Sequence, residues 1–562
     1  MRLHPRRDID GQAGNERDRG EGHEVQPAIH GLIVTGPESA VASGAPEYAP
    51  VPRRSSTGGN GGQMTRSHRV IGAALVLLLV LTACSKSNKS NASAGNTNGV
   101  TSDSTDNGSS SQSFGPDDDD KIIKSAIDDV QTFYEAEFPK LYGGQFTPIK
   151  GGEFPYGPTD PPPNCGSPGV ANYKDVAQNA FYCPQGDFVA WDTDNLTNQL
   201  LDQFGPYTLA IVVAHELGHA IQARHGILDG RFPTFVTEQQ ADCFAGAYTQ
   251  HVQQGGSQKF KVSLGDLDNA LGGFLQIRDP VGTDTVNDES AHGSAFQRIN
   301  AFEDGLNGGM DKCKTYEDET FNFVPEVFVP GSLDQAQQGN LPFDEVEPLV
   351  INNLEGFWGE ALPLLPGGKK WTEAKTNPFD PTAGFTCGKS TVKGKDAIGK
   401  YLYCPDNDTM NWDESNLMPQ VYNNIGDLAQ GAIIGKLYSQ RAQHLTGLPT
   451  DSIDAALQAD CFTGVWVATT KTLEIDNNLP DNAKMELSPG DLDEIVAAFL
   501  QFGAKPIDVQ AGKAPTGTAF ERLSAFRVGF FDALNNGFKS GLSTCQKTDL
   551  SSSNSSSDSA SS

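Results

Sequence analysis

The sequence predicts two tandem domains of one α-rich α+β fold, the first within residues 121–325 and the second within residues 340–548. Three observations predict this arrangement. Short motifs recur in the same order, each half carries four cysteines in matching positions, and apolar segments bounded by Gly and Pro are typical of helices. The recurring segments are Tyr182–Pro184 with Tyr403–Pro405, Gln240–Phe244 with Gln458–Phe462, Ser263–Asp268 with Ser488–Asp493, and Ala295–Arg298 with Ala519–Arg522.

The composition is that of a folded, acidic protein. The chain has 562 residues, enough for more than one hydrophobic core, and its formal net charge is −30. Because a surface of that sign repels phosphate backbones, we expect no nucleic-acid partner. The sequence leaves the oligomeric state open.

The segment before the first repeat predicts export. Residues 64–84 read as a secretory signal, in which Arg66 and Arg69 precede an apolar run, Val70–Leu81, that is too short for a membrane-spanning helix. Residues 1–63 lack periodic apolar patterning and are predicted to be disordered. Since a signal belongs at the start of a protein, we interpret residues 1–63 as an over-extended gene start.

The end of the signal predicts a membrane anchor. Leu81-Thr82-Ala83-Cys84 resembles the lipobox of bacterial lipoproteins, which implies that Cys84 becomes the lipidated N-terminus. The polar residues 85–120 predict a flexible linker, and residues 549–562 predict a disordered Ser-rich tail. We therefore expect an exported protein anchored by lipid to the outer face of the bacterial cell membrane.

The other eight cysteines divide equally between the repeats, and in an exported chain they are expected to form disulfides. Four cysteines allow three pairings, and we favour the one that joins the first two of each repeat because they are close in sequence. The predicted disulfides are Cys165–Cys183, Cys243–Cys313, Cys387–Cys404 and Cys461–Cys545.

A metal-binding motif lies in the first repeat. His215, Glu216 and His219 form a His-Glu-x-x-His pattern on a segment that begins at Gly205-Pro206 and ends at Gly226, which predicts a helix. Residues four apart share a helix face, so the two imidazoles can hold one Zn²⁺. Glu216 projects beside them and is predicted to act as general base on a zinc-bound water.

Zinc needs a third protein ligand, and two residues compete for that role. His225 has the spacing of metzincins, but Gln222 stands where that motif needs a Gly to turn the chain back to the metal. Glu238 and Asp242 share one face of a second predicted helix and resemble the Glu-x-x-x-Asp pair of gluzincins. That resemblance implies Glu238 as ligand and Asp242 as the support of a ligand His. We favour Glu238, and His225 stays the alternative.

His215–His219, Glu238–Gly246 and His292–Arg298 together resemble the bacterial family of putative neutral zinc metallopeptidases. The resemblance covers roughly 121–325 and, more weakly, 340–548. It implies a zincin-like fold in each repeat and hydrolysis of peptide bonds by a zinc enzyme, and it does not indicate a substrate.

The second repeat is predicted to be degenerate and to bind no catalytic zinc. Alignment of the repeats sets four residues that cannot assemble a zinc site opposite His215, Glu216, His219 and Glu238, namely Lys436, Leu437, Gln440 and Ala456.

That alignment distinguishes two further residues of the first repeat, because one is kept in the second repeat and the other is replaced. Asp242 persists as Asp460, which favours a structural role. His292 becomes Thr516 and is lost together with the zinc set, which makes it a candidate to stabilise the oxyanion or to protonate the leaving amine.

The sequence thus predicts a lipid-anchored zinc metallopeptidase that cleaves a peptide or protein substrate and binds one Zn²⁺ in its first repeat. The alternative is an envelope lipoprotein that binds or scaffolds partners with little or no catalysis. A zinc hydrolase acting on a non-peptide bond is a third interpretation that the sequence does not separate from the first.

Overall fold

A computed structural model describes the backbone of His30–Ile33 and residues 119–166, 172–285, 288, 290–317, 326–472, 479–505, 516–547 and 550. The predicted signal peptide with Cys84, most of the linker and the Ser-rich tail lie outside the described residues. Within the described part of the chain, no helix is long and apolar enough to cross a membrane.

The first repeat combines a small sheet with a layer of helices. Its strands are β1 (His30–Ile33), β2 (Gly152–Tyr156), β3 (Asn179–Cys183) and β4 (Phe188–Asp192), in the order β1-β3-β4-β2. Strand β2 runs parallel to β4, and the other pairs are antiparallel. Its helices are α1 (Asp119–Tyr142), α2 (Asn198–Phe204), α3 (Pro206–His225), α4 (Thr234–Gln253), α5 (Leu264–Gln276) and α6 (Ala295–Lys314).

The second repeat has the same order of elements. After α7 (Leu333–Ala336) and α8 (Phe343–Ala361), strands β5 (Lys375–Phe379), β8 (Tyr401–Cys404) and β9 (Thr409–Asp413) form a sheet in which β5 is parallel and β8 antiparallel to β9. A separate hairpin joins β6 (Phe385–Cys387) and β7 (Ser390–Val392). The helices that follow are α9 (Leu417–Asn424), α10 (Asp427–Thr446), α11 (Ile453–Thr472), α12 (Asp491–Phe502), α13 (Ala519–Asn536) and α14 (Phe538–Lys547). The α-rich α+β fold and its duplication are thereby confirmed.

Strand β1 differs from the disorder predicted for residues 1–63. His30–Ile33 pairs antiparallel with β3, from His30 opposite Tyr182 to Ile33 opposite Asn179. The backbone of an edge strand offers unpaired N–H and C=O groups to any extended segment, which explains the pairing without apolar periodicity. The interpretation of residues 1–63 as an over-extended gene start stays a prediction.

All four predicted disulfides are confirmed, with none between the repeats among the described residues. In each repeat one bond ends on a sheet strand, joining a loop to β3 in the first repeat and β6 to β8 in the second, and the other ties the central helix α4 or α11 to the last helical segment. That distribution is typical of a protein that folds outside the reducing cytoplasm.

Close helix packing sets the geometry behind the metal motif. A Cβ on Gly246 of α4 would lie 1.9 Å from the carbonyl oxygen of Phe302 in α6, and one on Gly305 would lie 1.8 Å from the carbonyl oxygen of Cys243. Only glycine permits this approach. Gly464 and Gly529 make the equivalent approach between α11 and α13.

The two repeats share one hydrophobic core, because a single connected cluster of buried side chains extends across both. Across the boundary Phe296 of α6 contacts the rings of Phe526, Phe530 and Phe531 at centroid distances of 6.3, 5.5 and 5.8 Å. The contact is reciprocal. Asp493 accepts a hydrogen bond from the Phe296 N–H, and its counterpart Asp268 accepts one from the Phe520 N–H, each at 2.8 Å.

Candidate metal centre

Helix α3 carries the metal motif with the boundaries that the sequence predicts. It begins at Pro206 and stops at Gly226, which adopts φ of 78° and so ends the helix in the left-handed conformation. His215, Glu216 and His219 are all buried on this helix. Because α3 packs against α4, the motif faces the second helix and not solvent.

Three side chains converge on one point between α3 and α4. The Oε2 atom of Glu238 lies 3.2 Å from Nε2 of His215 and 3.4 Å from Nε2 of His219. One ligand atom from each of these residues lies within 4.8 Å of the others. Two imidazole nitrogens and one carboxylate oxygen are a donor set that zinc takes in catalytic sites, and the residues present fit that ion.

His225 lies elsewhere. Its ring stacks on Tyr142 at a centroid distance of 3.9 Å, and its Nε2 atom is 3.1 Å from Oε2 of Glu317. The structure therefore brings Glu238, and not His225, to the two histidines. The reason is the continuation of α3 through Gln222, which carries His225 about 1.7 turns beyond His219.

The ligand residues are held by buried polar partners. Nδ1 of His215 lies 2.8 Å from Oδ1 of Asp242, and Arg298 donates two hydrogen bonds of 2.8 and 2.9 Å to the same carboxylate. Nδ1 of His219 lies 2.8 Å from Oε1 of Gln222. These contacts leave both Nε2 atoms turned towards Glu238, which is how outer residues orient metal-binding histidines. Asp242 thus serves the ion pair with Arg298 and the orientation of His215 together.

The charges of this pocket favour a cation. Burial lowers the pKa of His215, but the carboxylates of Asp242 and Glu238 outweigh burial and raise it to about 10. Burial raises the pKa of Glu238, but the neighbouring His219 and His292 bring it well below its usual range. A carboxylate that stays ionised in a buried site is suited to a positively charged ligand.

Glu216 is positioned for proton transfer. Its Oε2 atom accepts a 2.9 Å hydrogen bond from the Tyr182 N–H of β3, and its Oε1 atom has no hydrogen-bond partner among the described residues. Burial raises the pKa of Glu216 to about 7, although His215 and His219 oppose the shift. A general base is most effective when its pKa lies near the working pH.

His292 reaches the centre from the loop before α6. Its Nε2 atom lies 3.6 Å from Oε2 of Glu238, and it is buried. Burial lowers the pKa of His292, but the carboxylates of Glu238 and Asp279 together outweigh burial and raise that pKa. The prediction that His292 belongs with the zinc set is consistent with this position.

Sequence reasoning missed Asp279. One of its oxygens accepts hydrogen bonds from the backbone N–H groups of His292 and Gly293 at 2.7 Å, and the other lies 3.7 Å from Nδ1 of His292. Alignment of the two repeats could have identified Asp279. The equivalent residue is Ala504, whose N–H bonds to Gly517 as that of Asp279 bonds to Gly293, so Asp279 is lost with the zinc set.

The second repeat keeps the scaffold without the donors. Nζ of Lys436 lies 2.8 Å from Asp460, which also pairs with Arg522 at 2.9 Å, so an ammonium stands where His215 stands in the first repeat. Gln443, the counterpart of Gln222, has a buried Oε1 atom with no hydrogen-bond partner in the described part of the chain. Replacement of the histidine by Gln440 removed the group that this oxygen would contact.

Comparison with known proteins connects this geometry to a family. Residues 50–231 and 234–316 match the model of a family described as Putative neutral zinc metallopeptidase. An uncharacterized protein of Mycobacterium tuberculosis is 31% identical over 161 residues, which are 24% of this chain and 54% of that protein. The uncharacterized protein YpfJ of Escherichia coli is 30% identical over 158 residues, 24% of this chain and 53% of its own length.

The chain thus spans about half the length of the curated relatives that it matches. No solved structure matches it.

Proposed function

Since the first repeat matches the neutral zinc metallopeptidase family, we propose that this protein is a zinc-dependent metallopeptidase with one active centre, in the first repeat. The observation that carries the proposal is the convergence of His215, His219 and Glu238 within 4.8 Å of one another, with Glu216 beside them. Three protein ligands leave a fourth position for water, as in catalytic zinc sites.

Zinc, when bound by these three residues, would lower the pKa of a water and polarise the scissile carbonyl. Glu216 would take up a proton at Oε1, which has no hydrogen-bond partner among the described residues, and would pass it to the leaving nitrogen. Asp242 and Gln222 hold the two imidazoles in the orientation that binding requires. His292, held by Asp279, supplies a hydrogen-bond donor for the developing oxyanion or the leaving amine.

The strand next to Glu216 supports a peptide substrate over a non-peptide one. Glu216 is bonded to the backbone of Tyr182 in β3, and β3 pairs with an extended segment, His30–Ile33, in antiparallel register. An edge strand that accepts an extended chain provides main-chain hydrogen bonds for a substrate, and it does so for many sequences. A peptide bound in this way passes beside the general base.

We further propose that the enzyme acts outside the cytoplasm, anchored through a lipid on Cys84. The four disulfides support export. The second repeat would serve as a structural partner of the first, because Lys436 occupies its vestigial metal position.

The deciding experiment uses the chain from Ser85 to the C-terminus, purified with its disulfides intact, and compares wild type with Glu216→Gln. The substitution keeps the size of the side chain and removes its capacity as a base, so zinc content should stay at one per chain. Cleavage of an unfolded protein substrate should fall about 10²–10⁴-fold.

Leu437→Glu is the matched control, because it restores a glutamate at the same place in the second repeat. It should leave both zinc content and cleavage unchanged. Equal cleavage by wild type and Glu216→Gln would refute Glu216 as the base. A zinc-loaded wild type that cleaves nothing in a diverse peptide library would favour the binding or scaffold interpretation.

A further inference from the structure

A second group of potential metal ligands lies in the second repeat, away from the proposed zinc centre. Asp427 begins helix α10, and Asp491 and Glu494 lie in the first turn of α12. One oxygen from each residue lies within 4.8 Å of the others. Their relative exposures are 7%, 4% and 9%, so three carboxylates share one buried place.

Each carboxylate is fixed by backbone N–H groups. Asp427 Oδ2 accepts from the Leu341 N–H, and Asp491 Oδ2 accepts from the Ser488 N–H, both at 2.8 Å. Glu494 Oε2 accepts from the Leu428 N–H at the same distance. The carboxylates are therefore held in place by the main chain.

Two carboxylate oxygens of this group lack hydrogen-bond partners among the described residues. Oδ1 of Asp427 and Oδ1 of Asp491 are buried and have no hydrogen-bond partner among the described residues. In the same part of the chain, no Lys, Arg or His forms an ion pair with any of the three carboxylates. Buried acceptors without a partner are costly, and buried carboxylates are normally paired or bound to metal.

The first repeat provides an internal comparison. The positions equivalent to Asp427, Asp491 and Glu494 are occupied by Pro206, Asp266 and Asn269. Asp266 there caps its own helix by bonding to Ser263. The duplicated fold therefore does not require three carboxylates at this place, and their presence is specific to the second repeat.

We propose that Asp427, Asp491 and Glu494 form a structural Ca²⁺ site. When ionised, three carboxylates offer hard oxygen donors of the kind that Ca²⁺ takes at about 2.3–2.6 Å, so ligand oxygens on opposite sides of the ion lie about 5 Å apart. Mg²⁺ demands near-ideal octahedral geometry, whereas Ca²⁺ accepts flexible geometry and bidentate carboxylates, so three carboxylates fixed by the main chain favour Ca²⁺.

The ion would join three segments of the second repeat. Asp427 is bonded to Leu341 before α8, Asp491 and Glu494 belong to α12, and Glu494 contacts the start of α10. Helix α12 also carries Asp493, which bonds to α6 of the first repeat. Calcium binding would thus stabilise the helix that closes the boundary between the repeats. The degenerate repeat would act as a cation-dependent support for its neighbour.

The test uses the disulfide-bonded chain with zinc kept at one equivalent, freed of other divalent cations, and titrated with CaCl₂ or MgCl₂. Calorimetry should give one Ca²⁺ per chain, and Ca²⁺ at 100 times its Kd should raise the folding equilibrium constant about 100-fold. Thermal unfolding should show a corresponding rise in Tm. Mg²⁺ at the same concentration should bind at least tenfold more weakly.

The variant Asp491→Asn/Glu494→Gln keeps the acceptors for Ser488 and Leu428 but removes two charges. Without Ca²⁺ it should be at least as stable as wild type, and it should lose the response to Ca²⁺. Asp266→Asn, the equivalent change in the first repeat, should respond like wild type.

Two results would overturn the proposal. One is a wild type that binds no Ca²⁺ in equilibrium dialysis at millimolar concentration. The other is an equal rise in Tm for wild type and the double variant. Neither result depends on peptidase activity, so this inference and the proposed function fail separately.

Discussion

The boundary between the repeats should support the metal centre, and Phe296→Ala tests this. Phe296 is 2% exposed and lies on the first turn of α6, between the loop that carries His292 and the Arg298 that grips Asp242. Removing a buried Phe costs about 3–5 kcal/mol, and the lost contacts with three rings of the second repeat place the expected cost near the upper end, about 5 kcal/mol. Because α6 then loses its support, zinc should also bind more weakly.

Two measurements check this prediction: the free energy of unfolding from urea titration, and the zinc dissociation constant from competition with a chelator. The matched control is Phe379→Ala, which removes an equally buried Phe that packs on Phe385 in a small separate cluster of the second repeat. Phe379→Ala should lower stability and leave zinc affinity unchanged. A cost below about 1 kcal/mol for Phe296→Ala, or equal zinc affinities for the two variants, would refute the supporting role.

Three further outcomes are expected. Glu238→Ala should lose zinc while His225→Ala keeps it, as metal analysis of the purified variants will show; the reverse result would restore the metzincin-like alternative. Burial lowers the pKa of Lys436 to about 8, so the charged side chain opposes folding below that pH. The free energy of unfolding of the wild type should therefore rise by up to about 3 kcal/mol between about pH 8 and pH 10.5. Unfolding titrations of Lys436→Met should lack this rise. A chain that starts at Met64 lacks β1 and leaves the edge of β3 open, so it should cleave peptides at least as fast as the chain from residue 1; slower cleavage would show that β1 helps the reaction.

Much of this architecture follows from short-range patterns. The spacing of His215 and His219 on a helix bounded by Pro206 and Gly226 fixes two ligands on one face, because α-helical periodicity is a local property. The order of repeated motifs predicted the duplication, and with it the four disulfides and the loss of the donor set in the second repeat. Lys436 at the first ligand position was visible in the alignment alone.

The tertiary structure decided what depends on packing between distant segments. Sequence favoured Glu238 over His225 by an argument about a turn, but only the close packing of α3 on α4 brings the Glu238 carboxylate to the histidines. Asp279 acts on His292 across a loop, and no periodicity connects them.

The shared site of Asp427 and Asp491 could not be predicted from the sequence for the same reason. They are 64 residues apart, and in the sequence each resembles an ordinary acidic residue at the start of a helix. Helix starts favour such residues, so the pattern carries no signal of a shared buried site. Side-chain chemistry can be read from the sequence, but the meeting of two helix ends depends on how the whole core packs.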